Sequence, residues 1–420
     1  MDFIGYAFFF KILLIIGIIS IFSFRETDWN AYMGAVGGFL DGELDYGKLK
    51  SSNVSLNCPG GYVWVYGALY YITKASTSVS LARMIFSSVY LMTFGMVLSL
   101  YHQADFPWWV TIPLFVSPRI LSTYFLNLLN DCWAMFFLYG AITLLSGRRY
   151  WKFGCLLYSM SVSVQVRLLL LGPGLLYVLL RSLSLFKVLN CLAVCVVWQL
   201  VVGYPFILDN WRSYLGKLFE LRSVFIPERP EKYELFEKFI GASPYQMNVF
   251  LAIIVLSWVL LWRLRWSKRW CISLNNEKKE VEKDGESHEE DSYNSHMIVL
   301  TLFESNLAGV LWASMFQCDL YTSFFHMLPY TLYSTKSPNW LRYAVLGLIV
   351  PAFEYFPSSH NHSILLRTVN ILLILGILLF GSDHHVGGTQ AKGAANVRKD
   401  KYDPNKLPRL KLSEPSDHSR

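Results

Sequence analysis

Glu26, Asp28, Trp29 and Tyr32 place two carboxylates and two aromatic rings within seven residues, just past an apolar run that ends at Phe24. A carboxylate in such a place can take the proton of an attacking hydroxyl. The rings beside it can stack on a sugar face or hold the chain at headgroup level. The competing reading is a solvated turn beside a membrane, with Trp29 as an interfacial anchor. Asn127, Asn130 and Asp131 form a second polar group, at the start of an apolar stretch. Polar groups at membrane depth can line a cavity, or they can cap the helix that follows. Arg119, Arg167 and His326 stand isolated among apolar neighbours. A guanidinium can grip a phosphate through two parallel hydrogen bonds. The plainer readings are snorkelling for the arginines and a satisfied core histidine for His326. Glu354 reads as interfacial. No glycine-rich phosphate loop, metal-ligand spacing or nucleophile elbow occurs, so neither cofactor nor metal is expected.

These residues need elements to hold them, and composition says which. The 420-residue chain is 54% hydrophobic and only 16% charged, with a mean hydropathy of +0.35. A soluble chain carries about a quarter charged residues. Apolar stretches near the roughly 18 residues that cross a bilayer recur. Lipid leaves backbone groups no partner, so spanning segments are helices or a closed barrel. The runs lack the alternation of barrel strands, which leaves an all-α polytopic helix bundle of about 11–13 membrane segments. The net charge of +7 sits largely beside apolar runs: Arg148, Arg149 and Lys152; Arg263, Arg265, Lys268 and Arg269; and the tail from Lys392 to Arg420. That is the distribution of cytoplasmic flanks and not of a nucleic-acid surface. Of the seven cysteines, Cys58, Cys132 and Cys318 fall where a luminal disulfide is possible.

With a cytoplasmic amino terminus, Tyr6–Phe24 is an anchor helix and not a signal peptide, because no small-residue cleavage site precedes Arg25. Residues 1–382 then form one membrane domain. Within it, 25–77 are a first luminal loop with an interfacial helix over Gly61–Thr73, 206–246 a neutral luminal loop, and 263–296 a disordered cytoplasmic loop. Residues 383–420 are a polar cytoplasmic tail. Crossings are expected over 78–102, 107–125 with a break at Pro118, 128–146 and 188–203, with a short pair at 153–164 and 168–180. Later ones are expected over 249–262, 297–313, 321–335, 343–353 and 363–381. The sequons at Asn53 and Asn361 both fall on the luminal side of this layout, as glycosylation would require.

Read as a string, Glu26-Thr-Asp28-Trp29-Asn-Ala-Tyr32-Met33, with Gly38-Phe-Leu-Asp-Gly42 and Tyr46, resembles the first luminal loop of a known family. It is the dolichyl-phosphate-mannose-dependent alpha-1,3-mannosyltransferases of lipid-linked oligosaccharide assembly, which include the fly "lethal(2) neighbour of tid" proteins. Gly61-Tyr-Val-Trp-Val-Tyr-Gly-Ala-Leu-Tyr-Tyr, Leu129-Asn-Asp131 and the Gly154 to Val164 segment resemble further family stretches in order. So do Tyr214 to Phe225, Phe303-Glu-Ser-Asn306-Leu-Ala-Gly309 and Phe325-His326-Met-Leu-Pro329-Tyr330. The resemblance is colinear over about residues 25–356. It implies a glycosyltransferase-C fold, an endoplasmic reticulum membrane location and an inverting, metal-free mannose transfer. The implied partners are a dolichyl-phosphate mannose donor, a five-mannose dolichyl-pyrophosphate oligosaccharide acceptor and the lipid bilayer. It implies that Asp28 is the general base. Glu26, Trp29, Tyr32, Asp131, Arg119, Arg167, Arg222 and His326 are then substrate-binding candidates.

The chain also departs from the family pattern. The family's Lys-Met-Asn is here Gln165-Val-Arg167, which moves the positive charge two positions. On a helix that is about 200°, nearly the opposite face. Ser51 to Pro59 lacks an acidic residue and a tyrosine, Glu228 to Lys232 turns a basic position acidic, and Ala313 to Leu320 lacks an Arg and a His. Fewer cations would hold a pyrophosphate less well. A second function class therefore stays open: a catalytically degenerate paralogue acting as a lipid-oligosaccharide binder or partner subunit. A transporter is disfavoured, because neither internal repeats nor paired broken helices are found.

Overall fold

Apolar runs in a chain this poor in charge close their backbone hydrogen bonds locally, and helix is what results. The structure, a computed structural model, describes residues 2–21, 26–49, 59–74, 78–115, 117–218, 244–270, 287–314, 318–335, 338–354 and 360–379. Among these residues no strand is present. The chain opens with α1 (Asp2–Ile21), α2 (Glu26–Leu40), α3 (Gly61–Ile72) and α4 (Val79–Gln103). A 3-10 turn over Trp108–Phe115 precedes α5 (Pro118–Phe125), α6 (Asp131–Ser146) and α7 (Trp151–Val164). A second 3-10 turn, Val166–Leu171, leads to α8 (Gly172–Ser182) and α9 (Leu185–Leu218). Then come α10 (Pro244–Leu261), a π-helical turn over Trp262–Trp266 and α11 (Ser287–Ser314). Short turns at Cys318–Ser323 and Phe325–Met327 lead to α12 (Leu328–Tyr333), α13 (Asn339–Glu354) and α14 (His360–Leu379).

Among the described residues, two helices, Val79–Gln103 and Leu185–Gly216, are long and apolar enough to cross a membrane. The segments Phe8–Ile18, Asp131–Ser146 and Thr368–Leu378 are shorter apolar helices. α6 packs against α4 and α7, α7 against α9, and α11 against α8, α10 and α14. Between them lies a continuous core in which Phe86, Tyr90, Tyr139 and Phe303 are buried. Outside it, Leu189, Val196, Val197, Leu200 and Val201 on α9 are more than half exposed.

Several elements differ from the sequence reading, each for a local reason. The segment expected to be the first luminal loop begins with a 15-residue helix, α2. Its Trp29 is fully buried, packed on Tyr66 and Phe86 at 6.0 and 6.5 Å between ring centroids, and so is not an interfacial anchor. α9 runs on past residue 203 through a kink at Asn210 (φ −148°, ψ 82°), so the 206–246 loop starts helical. Beyond α2, Gly47 N–H donates to Asp45 Oδ1 and to Ser213 Oγ, both at 3.0 Å, tying the loop to this kink. The Ser213 hydroxyl and the Gly47 amide hold the Asp45 carboxyl below its usual range. Residues 263–270 and 287–296 are helical where a disordered loop is expected, while 271–286 lie outside the described residues. Arg265 and Arg269 are buried against Glu304 and so are not solvent-facing charges flanking an apolar run. Cys132 is a free, buried thiol, which removes it from any luminal disulfide; Cys58 lies outside the described residues.

α3 closes on α7 at a glycine. A Cβ on Gly61 would sit 2.4 Å from both the carbonyl oxygen and the Oγ of Ser163. Gly61→Ala is expected to destabilise the fold by about 1–3 kcal/mol through overpacking. A thermal unfolding midpoint equal to that of the native protein would show that the α3–α7 contact yields.

Candidate functional site

The polar centre is built where α6 begins. Leu128 adopts a left-handed conformation (φ +50°), and its carbonyl accepts a 2.6 Å hydrogen bond from the Tyr66 hydroxyl of α3. This turn sets Asn130 and Asp131 at the head of α6, 2% and 4% exposed. Neither acts as a helix cap: Asn130 is the N-cap residue and makes no side-chain capping bond. Its amide instead donates to Val164 O of α7 at 3.2 Å, and its Oδ1 accepts from the Tyr32 hydroxyl at 3.2 Å.

Asp131 gathers three donors from distant segments. Gln165 Nε2 reaches Oδ1 at 2.7 Å, Arg167 Nη2 pairs with the same oxygen, and Thr322 Oγ1 reaches Oδ2 at 2.8 Å. Here the helical-wheel expectation fails. Gln165 is extended (φ −143°, ψ 103°) and Arg167 lies in a 3-10 turn, so the two point to one carboxylate and not to opposite faces. The shifted positive charge of this chain therefore still arrives at Asp131. The pair is almost wholly out of solvent, with side chains 10% and 6% exposed.

α2 docks on this centre. Tyr32 packs on Tyr62 and Tyr66 at 5.8 and 4.7 Å, and its hydroxyl makes the bond to Asn130. Asp28 lies one helical turn before Tyr32, and Glu26 opens the same helix. The structure thus brings Trp29, Tyr32, Asp131 and Arg167 together. The side chains of Glu26, Asp28 and Arg119 lie outside the description, although all three positions are helical. Asn361 is likewise described only as a position in α14, while Asn53 and Arg222 lie outside the described residues altogether.

His326 is fully buried, ringed by Tyr90, Tyr139 and Phe325 at 6.4, 5.8 and 5.4 Å, with neither ring nitrogen hydrogen bonded. It is therefore not the satisfied core histidine that sequence favours. Sequence reasoning passed over Lys11 and Glu304. Lys11 is fully buried and donates to the carbonyls of Leu114 and Phe115 at 3.2 and 3.3 Å. Glu304 holds Arg265 and Arg269. The signal for both was present: an ionisable residue inside an apolar run is a functional hypothesis by default.

Fold and site together define an all-helical protein with a polar, charge-paired interior between apolar helices. A model of the family described as "ALG3 protein" matches residues 6–363. The chain belongs to that family. Among curated relatives, an Arabidopsis thaliana protein is 30% identical over 380 residues, covering 87% of this chain and 85% of its own. A Homo sapiens relative is 31% identical over 375 residues, covering 85% and 82%. Both carry the name "Dol-P-Man:Man(5)GlcNAc(2)-PP-Dol alpha-1,3-mannosyltransferase". A Drosophila melanogaster relative, "Dolichyl-P-Man:Man5GlcNAc2-PP-dolichol alpha-1,3-mannosyltransferase l(2)not2", is 29% identical, covering 83% and 85%. No solved structure matches.

Proposed function

We propose that this protein transfers mannose from dolichyl-phosphate mannose, in alpha-1,3 linkage, to a five-mannose dolichyl-pyrophosphate oligosaccharide. One observation carries the reading: relatives that bear this activity in their names match over more than four-fifths of both chains. In the reaction a carboxylate takes the proton of the acceptor hydroxyl, and the oxygen attacks the anomeric carbon of mannose. The bond to phosphate breaks, and dolichyl phosphate leaves with the bonding pair. Asp28 is the base of this reading, with Glu26, Trp29 and Tyr32 beside it on α2. Asp131 and Arg167 position the floor on which α2 rests. Arg119, Arg222 and His326 complete the set of candidates for substrate contact.

The protein would work as a multi-pass protein of the endoplasmic reticulum membrane, its site on the luminal side. The apolar side chains exposed along α9, and Phe9, Phe10, Leu13 and Ile16 on α1, suit lipid and not water. Complementation tests the whole reading. Expressed in cells that lack the alpha-1,3-mannosyltransferase, the chain is expected to extend the five-mannose lipid. Persistence of that species despite good expression in the membrane would favour the degenerate binder or partner subunit.

A further inference from the structure

Far from the Asp131 centre in sequence, the π-helical turn at Trp262–Trp266 resets the helix register at the end of α10. Such turns gather at functional sites because they re-aim side chains at a cost in regularity. Here the turn faces Arg265 and Arg269 toward α11, and both are buried, 3% and 2% exposed. They meet a single carboxylate. Arg265 Nη1 lies 3.2 Å from Glu304 Oε1, and Arg269 Nη2 pairs with Oε2, which also accepts from Trp266 Nε1 at 3.0 Å. Among the described residues, two guanidiniums against one carboxylate leave one positive charge in excess.

The hydrogen-bond count leans the same way. Arg265 Nε and Nη2, Arg269 Nε and Nη1, and Trp270 Nε1 are buried donors without an acceptor, against one acceptor left over in the cluster, Glu304 Oε1. Arg265 uses Nη1 on the Ile377 carbonyl of α14 as well. The Tyr177 ring, with the exposed Arg181 over it at 5.7 Å, packs tilted on Trp266 at 5.3 Å. A buried excess of charge is costly unless it is paired. Among the described residues, the cluster lacks a second anion that only accepts hydrogen bonds and presents several oxygens.

We propose that Arg265 and Arg269 form a second anion site, which binds a phosphate group. The neighbouring surface favours a membrane lipid as its carrier: Val255, Leu256, Val259, Trp262 and Leu264 present an apolar outer face beside the cluster, each 43–56% exposed. Acyl chains lie along that face, and the headgroup phosphate takes the orphan guanidinium donors in forked geometry. The site shares no residue with the Asp28–Asp131 region, and its readout does not depend on mannose transfer.

The test uses the full chain in phosphatidylcholine nanodiscs, with or without phosphatidic acid, and separately with inorganic phosphate. Phosphatidic acid is expected to raise the unfolding midpoint by about 2–4 °C. Arg269→Gln is expected to lose that shift. Because Arg269→Gln also disturbs the ion pair, each variant is read against its own midpoint without phosphatidic acid, and the second variant, Glu304→Gln, disturbs the same pair from the other side. It keeps both guanidiniums and enlarges the excess charge, so its phosphatidic-acid shift should match or exceed that of the native protein. A shift with inorganic phosphate alone keeps the phosphate site and makes its ligand a free ion. Equal midpoints in all three conditions, with Glu304→Gln gaining nothing, would overturn the proposal.

Discussion

Asp131→Asn is expected to destabilise the protein by about 3–5 kcal/mol, the cost of removing one partner from a buried ion pair. The replacement is nearly isosteric: its oxygen can still accept from Gln165, whose bond to Asp131 is 2.7 Å, and its amide nitrogen can donate to the Thr322 hydroxyl, 2.8 Å from the carboxylate. What it cannot do is neutralise Arg167, whose side chain is only 10% exposed. The uncompensated guanidinium is the source of the loss, and Arg167→Gln on its own should cost less. In the double variant, Asp131→Asn with Arg167→Gln, both charges are gone and most of the stability should return. A double-mutant cycle on unfolding midpoints measures this coupling directly. Additive losses would mean that the pair contributes nothing of its own, and that Asp131 is held by its neutral partners.

The same cluster shows what the sequence could and could not say. Helix existence was legible, because apolar runs such as Val79–Gln103 have no other way to satisfy their backbone. The break at Pro118 in the 107–125 segment was legible too, since Pro118 stands at the first position of α5. The Gln165–Arg167 geometry was not. A wheel argument assumes continuous helix, and whether residue 165 is extended is decided by the packing of α7 on α6 and by the donors that Asp131 recruits from residues more than thirty positions away. Burial of Arg265 and Arg269 was illegible for a related reason. Positive charge beside an apolar run looks alike whether it flanks a membrane or faces a carboxylate on another helix. Only Glu304, 35 residues on from Arg269, settles which. Trp29 repeats the lesson at the first loop, where the rings that bury it, Tyr66 and Phe86, come from α3 and α4.

Asp28→Asn is expected to reduce mannose transfer by roughly 10²–10⁴-fold, the usual contribution of a general base. Stability should hardly change, and this is what separates it from the Asp131 variant. α2 is fixed by Trp29 against Tyr66 and Phe86, and by Tyr32 against Tyr62, Tyr66 and Asn130. Those contacts hold the helix whatever stands one turn earlier. The decisive measurement pairs the lipid-linked oligosaccharide profile with the unfolding midpoint of the same preparation. Loss of the extended product at a native midpoint assigns Asp28 to chemistry. Tyr32→Phe serves as the stability control, because it removes a hydroxyl that bonds α2 to Asn130, at a cost of about 0.5–1.5 kcal/mol. If Asp28→Asn extends the five-mannose lipid as fast as the native chain, the base lies elsewhere. Glu26, two residues earlier in the first turn of α2, is then the next carboxylate to replace.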